Sequence, residues 1–316
     1  MPGLEERVRQ ALIANAVNPA AASLAASLSD LLGAEKPGTY SAAMIPLLIE
    51  LQVSLGVGRD GIVGENTKKA LARQSYLDGV SCDGLWPDVA APAGVQREHY
   101  LSLCRKIDPD LPGDKPVLLG LRGVYPFGRK THRMIHAMRY DDTFVLLQGD
   151  AEPFVFRGAT HAYQLLSSDA PNADLKGQDD VGSIRPGIYV LHRRDTKPIP
   201  IFHVKLSNGS GDLPAYRDTN HDGVISPEEA EQSVSATKGE QVTPGVGMFA
   251  NAVLFHPGYE TIEPGKNRPF SSIACQTAAL ADVERLSAAG SEIHFVLANA
   301  ADLVPVAGAV PSANVA

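Results

Sequence analysis

Gly187-Ile188-Tyr189-Val190-Leu191, and Ile201-Phe202-His203-Val204 after a break holding Asp195, Pro198 and Pro200, are two short β-branched and aromatic runs bounded by turn formers. Runs of this length and composition predict strands. Working outward, Val117-Leu118-Leu119-Gly120-Leu121, Thr143-Phe144-Val145-Leu146-Leu147, Pro153-Phe154-Val155-Phe156 and Ala252-Val253-Leu254-Phe255 repeat the pattern, separated by Gly, Pro, Asp and Asn. A helix is predicted over 282–289 and a closing strand over 293–297. From Pro305 onward small and apolar residues predict a loosely ordered tail, and the tail is placed at 304–316. The C-terminal part of the chain is therefore predominantly β with a few helices.

The 316 residues carry 44% hydrophobic and 20% charged side chains with a net charge of −8. That length holds two domains, each with a core of its own. The negative balance argues against broad binding to nucleic acid. No apolar run reaches the ~20 residues of a membrane span. Met1-Pro2-Gly3-Leu4-Glu5-Glu6-Arg7 places acids where a secretory leader needs a basic region, so no signal peptide is expected. Three cysteines are too few for a disulfide scaffold. Cys82 and Cys104 can form one bridge or stay reduced, and Cys275 stays unpaired in either case.

The first part of the chain reads as helical. Leu4, Val8 and Leu12 recur every fourth residue, and Glu5 and Glu6 meet the positive helix N-terminus. A second helix starts near Pro19 and ends at Gly33. A third has Pro46 in its first turn and Leu48, Leu51, Gln52 and Leu55 on one face. A short fourth covers 66–74 after the Asp60-Gly61 turn. Leu51, Leu55, Ile62 and Leu71 are the expected core. Leu48-Ile49-Glu50-Leu51-Gln52-Val53-Ser54-Leu55-Gly56 with Asp60-Gly61-Ile62-Val63-Gly64-Glu65-Asn66-Thr67-Lys68-Lys69-Ala70-Leu71 resembles the helical peptidoglycan-binding domain of cell-wall enzymes. That resemblance implies such a domain over 1–78, followed by a linker over 79–115 with a helix near 96–107.

Asp218-Thr219-Asn220-His221-Asp222-Gly223-Val224-Ile225-Ser226-Pro227-Glu228-Glu229 has the order of a twelve-residue EF-hand calcium loop. Oxygen-bearing side chains fall at positions 1, 3, 5, 9 and 12, with glycine at 6. The expected Ca²⁺ ligands are Asp218, Asn220, Asp222 and the Val224 carbonyl, with Ser226 direct or through water and Glu229 bidentate. Pro227 starts the exit helix. A lone loop of this kind typically binds near ~10⁻⁴–10⁻³ M, which suits an extracellular setting.

Downstream, His256 is followed by Ser271-Ser272-Ile273-Ala274-Cys275-Gln276. A cysteine attacks as thiolate, and a neighbouring imidazole makes that form accessible near neutral pH. The order of His256 and Ser272-x-x-Cys275 resembles the catalytic motif of YkuD-like L,D-transpeptidases. Arg185-Pro186-Gly187-Ile188-Tyr189-Val190 is similar to a strand of that family. Leu121-Arg122-Gly123, Tyr140-Asp141-Asp142 and Tyr216-Arg217-Asp218 further resemble a phage-associated branch. On that resemblance Cys275 is the nucleophile, His256 its base and Ser272 an orienting residue. Main-chain N–H groups around Ala274, or the Gln276 side chain, hold the oxyanion. Ile273 stands where the family has histidine and Ala274 where it has glycine; a positive φ at 274 would cost alanine ~1 kcal/mol.

His132 and His136, with Arg129, Lys130, Arg133 and Arg139, read as a solvated basic face that could also steer stem-peptide carboxylates. His203 and His294 read as satisfied half-buried rings, and His221 as solvent-facing. The expected architecture is α+β: a small N-terminal helical bundle, then an L,D-transpeptidase-like domain over 116–303 containing the calcium loop. The resemblance implies a cysteine enzyme that cleaves or exchanges an L,D amide of the peptidoglycan stem. It would be a monomer made in the cytoplasm, acting on the cell wall after release or delivery, as in a phage lysin or an antibacterial effector. The alternative is a calcium-stabilised, catalytically inactive peptidoglycan-binding protein.

Overall fold

A computed structural model of the protein describes residues 4–32, 38–55, 57–58, 60–73, 79–132, 140–161, 182–194, 199–217, 219, 225–232, 234, 236, 238–239, 241–242, 247–258 and 274–304. The fold is mixed α and β. Eight of its strands close into a barrel in the order β1-β11-β5-β6-β9-β10-β3-β2. These are β1 (Val117–Arg122), β2 (Asp142–Leu147), β3 (Phe154–Ala159), β5 (Gly187–Arg193), β6 (Phe202–Lys205), β9 (Leu254–Pro257), β10 (Gln276–Ala278) and β11 (Glu292–Asn299). Two neighbouring pairs, β1/β11 and β9/β10, run parallel, and the other pairs are antiparallel. A smaller sheet joins β4 (Gly182–Ile184), β7 (Leu213–Arg217) and β8 (Phe249–Ala250).

Strand alternation explains both cores. Leu118 of β1, Phe144 of β2, Phe156 of β3, Tyr189 and Leu191 of β5, Phe255 of β9 and Phe295 of β11 share one buried cluster. Their alternating neighbours Val117, Leu119, Val145 and Val296 join a second cluster outside the barrel wall. That outer cluster is completed by helix α5 (Ala93–Arg105), through Tyr100, Leu101, Leu103 and Cys104, and by Cys82 and Leu85. Residues 82–104 were expected to belong to a linker. They instead cover the outer face of β1, β2 and β11, which is why all six residues of β1 are buried. Cys82 and Cys104 are both free thiols.

Helices α1 (Leu4–Val17), α2 (Pro19–Leu32), α3 (Met44–Ser54) and α4 (Glu65–Arg73) precede the barrel. Leu28, Leu31, Met44, Leu48, Leu51 and Leu71 of these helices, with Leu55 just after α3, share one apolar cluster, which Tyr125 from the β-rich part enters. The expected core residue Ile62 is only half-buried; Val63 takes the buried place. Two buried amides clamp this turn. Asn15 Nδ2 donates to the Gly61 carbonyl at 2.8 Å, and the Val63 N–H donates to Asn15 Oδ1 at 2.8 Å. The Gly61 N–H donates to Gln52 Oε1 at 2.7 Å, while Gln52 Nε2 donates to the Ile62 carbonyl at 2.8 Å. Gly61 has φ +73°, and a Cβ there would lie 2.7 Å from Ile45 Cγ2, so only glycine fits. Gln52→Leu strands two buried main-chain groups and is expected to cost roughly 3 kcal/mol. Urea unfolding of the full chain reads the loss.

The short elements β4, β7, β8 and β10 and the helix α8 (Ala300–Leu303) were not anticipated, being two to five residues long and held by pairing rather than by composition. The exit helix α6 (Pro227–Glu231) begins at Pro227 as expected, and α7 (Leu280–Ala289) covers the predicted 282–289 helix. The tail from 305, His136, Arg133, Arg139 and His221 lie outside the described residues. Among the described residues no single helix is long and apolar enough to cross a membrane.

Candidate active site

The parallel pairing of β9 with β10 sets Phe255 opposite Gln276 and His256 opposite Thr277. One residue earlier, Cys275 falls beside Leu254, whose main-chain N–H donates to Cys275 Sγ at 3.4 Å. Phe255, Ala274 and Ala278 belong to the barrel's inner cluster. The alternating residues Leu254, His256 and Cys275 are half-buried and occupy the outward side. Nineteen positions apart in the chain, imidazole and thiol thus meet across one strand boundary.

Strand pairing sets the His256 ring beside Cys275, and the thiol acts on the ring's titration. Its Nδ1–H donates to the Pro257 carbonyl at 2.8 Å, because a carbonyl can only accept. Nε2 is therefore the atom left for the thiol. Burial pushes the ring's pKa down, but the hydrogen bond and charge of Cys275, with the Pro257 carbonyl, outweigh it and hold the pKa above the ordinary histidine value. The orienting group is a main-chain carbonyl, a contact with no signature in residue identity. Ser272, the expected orienting residue, lies outside the described residues.

Two expectations about the flanking residues change. The φ of Ala274 is not positive: among the described non-glycine residues only Phe127, Tyr140 and Ala252 have positive φ. Alanine is accommodated there without backbone strain. Gln276 is fully buried and turned inward, its Nε2 donating to the Ala274 carbonyl at 3.3 Å and to the Thr160 carbonyl at 3.5 Å. Its side chain faces the barrel interior rather than the thiol.

Behind the thiol lies a buried polar plug. Arg122, fully enclosed, donates through Nε to Thr160 Oγ1 and through Nη2 to the Thr160 and Ile184 carbonyls, each at 2.8 Å. Asp142 accepts from the Gly123 N–H at 2.6 Å and from the Thr160 N–H and Oγ1–H at 2.7 Å. Thr160 carries this network to Gln276, next in sequence to Cys275. Tyr140 adds a second tie, donating from its hydroxyl to the Ala278 carbonyl at 3.0 Å. A Cβ at Gly258 would lie 2.3 Å from that hydroxyl, so the chain after His256 needs glycine for this approach.

His132 departs from the expected solvated face: it is buried, with Nδ1 3.7 Å from Asp141 Oδ2. His294 is satisfied as expected, bonded to Asp108 at 2.8 Å, and His203 is half-buried. Of the expected calcium ligands, Asp218, Asn220, Asp222 and Val224 lie outside the described residues. Ser226 caps α6 by accepting from the Glu229 N–H, and Glu229 Oε2 accepts from the Ser226 N–H at 2.9 Å. Glu229 Oε1 accepts from the Thr219 N–H and hydroxyl at 2.6 and 2.8 Å. The donor chemistry suits a hard cation, and a bound ion would draw Glu229 away from Thr219.

Burial separates the three thiols. Burial, aided by Asp83, pushes Cys82 up to about 12, and burial pushes Cys104 up to about 12. Their thiolate populations at neutral pH are thus on the order of 10³-fold below that of an ordinary thiol. Iodoacetamide under native conditions is expected to label Cys275 alone, and His256→Ala to slow that labelling at least ~10-fold near neutral pH. Peptide mapping by mass spectrometry reads both. Compared with known proteins, the chain matches no family model, no curated protein and no solved structure.

Proposed function

We propose that this protein is a cysteine enzyme of the L,D-transpeptidase type acting on the stem peptide of peptidoglycan. The observation that carries the reading is the placing of Cys275 beside His256 on the outward side of two parallel strands. His256 Nε2 takes the thiol proton as Sγ attacks the amide carbonyl. The collapsing intermediate expels the amine, which receives that proton, and leaves a thioester on Cys275. Water attacking the thioester gives hydrolysis; an amine gives exchange of the amide. The resemblance supplies the substrate, and the histidine-first order fits it.

The helices over 1–78 are proposed to hold the wall while the barrel works, as in a phage lysin or a delivered antibacterial effector. Incubating purified muropeptides with the protein and separating products by mass spectrometry tests the activity. Product profiles identical to the enzyme-free control would end it and leave the calcium-stabilised binding protein. We further propose that residues 218–229 bind Ca²⁺ as a structural ion. At ~10 mM free Ca²⁺ and a dissociation constant near 10⁻⁴–10⁻³ M, mass action stabilises the native state by about 1–3 kcal/mol. A melting temperature unchanged between chelator and calcium, or a rise that persists in Glu229→Gln, would remove the ion.

A further inference from the structure

The buried group formed by His132, Asp141 and Asp142, with His161 beside it, has features that hydrogen bonding leaves unexplained. One ligand-capable atom from each of the first three lies within 4.8 Å of the others, and all three residues are buried. Asp141 is fully enclosed, yet its Oδ2 has no hydrogen-bond partner. That oxygen sits 3.7 Å from His132 Nδ1, too far for a hydrogen bond and close to the separation of two ligands on one small cation.

The surroundings are arranged as around a metal. His132 Nε2–H donates to the Asp141 carbonyl at 2.7 Å, which orients the ring and turns Nδ1 toward Oδ2. His161 Nε2 bonds the other Asp141 oxygen, Oδ1, at 2.8 Å. Gly123 and Thr160 hold the Asp142 carboxylate in place. Metal-binding histidines and carboxylates are held in this way by an outer ring of hydrogen bonds. The two carboxylates lie side by side in an enclosed site, with His132, His161 and Arg122 around them. A buried carboxylate oxygen without a partner is costly, and a bound cation would satisfy it.

We propose that His132 Nδ1, Asp141 Oδ2 and one oxygen of Asp142 bind a first-row divalent cation, with zinc favoured by the mixed nitrogen and oxygen donors. The ion would be structural, pinning the start of β2 behind the barrel plug. It is separate from the calcium loop and does not depend on the proposed activity. The test uses the full chain carrying Cys275→Ala, so that the reactive thiol cannot compete for metal, in buffer holding excess Ca²⁺. About one equivalent of Zn²⁺ is expected to survive gel filtration, and Co²⁺ in its place to give visible d–d absorption. Asp141→Asn is expected to lose both signals and Glu229→Gln to keep them. His132→Cys retains a metal-binding side chain and is expected to add a sulfur-to-cobalt charge-transfer band, which keeps the site testable should Asp141→Asn fail to fold. Protein that leaves the column free of zinc with a colourless cobalt sample, or zinc retained undiminished in folded Asp141→Asn, would overturn the proposal.

Discussion

Cys275→Ala is expected to lower muropeptide turnover by at least ~10⁴-fold while binding to the wall persists. The size follows from the chemistry: without Sγ no thioester forms, and the neighbouring groups have nothing to activate. His256→Ala is expected to cost ~10²–10⁴-fold, the usual contribution of a positioned acid–base group. The pH profile adds a sign. Because Cys275 holds the His256 pKa above its ordinary value, the imidazolium survives to higher pH than in a free histidine. Only the neutral ring can take the thiol proton, so the acidic limb of kcat/KM should lie above the usual histidine range near 6.5. The same linkage makes the pair's contribution to folding complete below the unfolded-state pKa and lost as pH rises through the raised value. An acidic limb below pH ~6.5, or full turnover by Cys275→Ala, would remove the pair from the mechanism.

Arg122→Met is expected to destabilise the fold by about 3–5 kcal/mol, because it leaves the enclosed Asp142 carboxylate without its balancing charge and strips donors from Thr160 and Ile184. For a chain of this size that is on the order of 10 °C in melting temperature. Arg122→Lys restores the charge but not the planar fork and should recover only part of the loss. Thermal unfolding followed by circular dichroism reads all three proteins. A near-neutral Arg122→Met would mean that the plug can be replaced by apolar packing, and that its polarity serves something other than stability.

The strands that could be read in advance are those with both faces buried or strongly alternating. Val117–Leu121, Thr143–Leu147, Gly187–Leu191 and Ile293–Leu297 each carry enough β-branched or aromatic residues to identify themselves. Gln276–Ala278 does not, since three small or polar residues become a strand only because Phe255 to Pro257 lie alongside. The same pairing explains the site. Cys275 and His256 could be named from their order, but the residues that complete them contribute main-chain atoms, the Leu254 N–H and the Pro257 carbonyl, which any residue could supply. Gln276 was misplaced as an oxyanion donor because strand alternation, invisible until β9 and β10 are paired, sends it inward. His132 was misread because the basic residues beside it in sequence outweighed an Asp141 that only the fold brings near.

What the amino-acid order determined by itself is the local chemistry: helical periodicity up to Arg73, strand-forming runs after Pro116, an oxygen-rich loop at 218–229, and a cysteine with a histidine nineteen positions upstream. These depend on neighbours within a few residues. Only the tertiary structure decided that eight strands close, that residues 82–104 cover the barrel's outer wall, and that Arg122, Asp142, Thr160 and Gln276 join behind Cys275. Those outcomes rest on pairings between segments tens to more than a hundred residues apart, where burial, charge balance and strand register act together and no local pattern records the result.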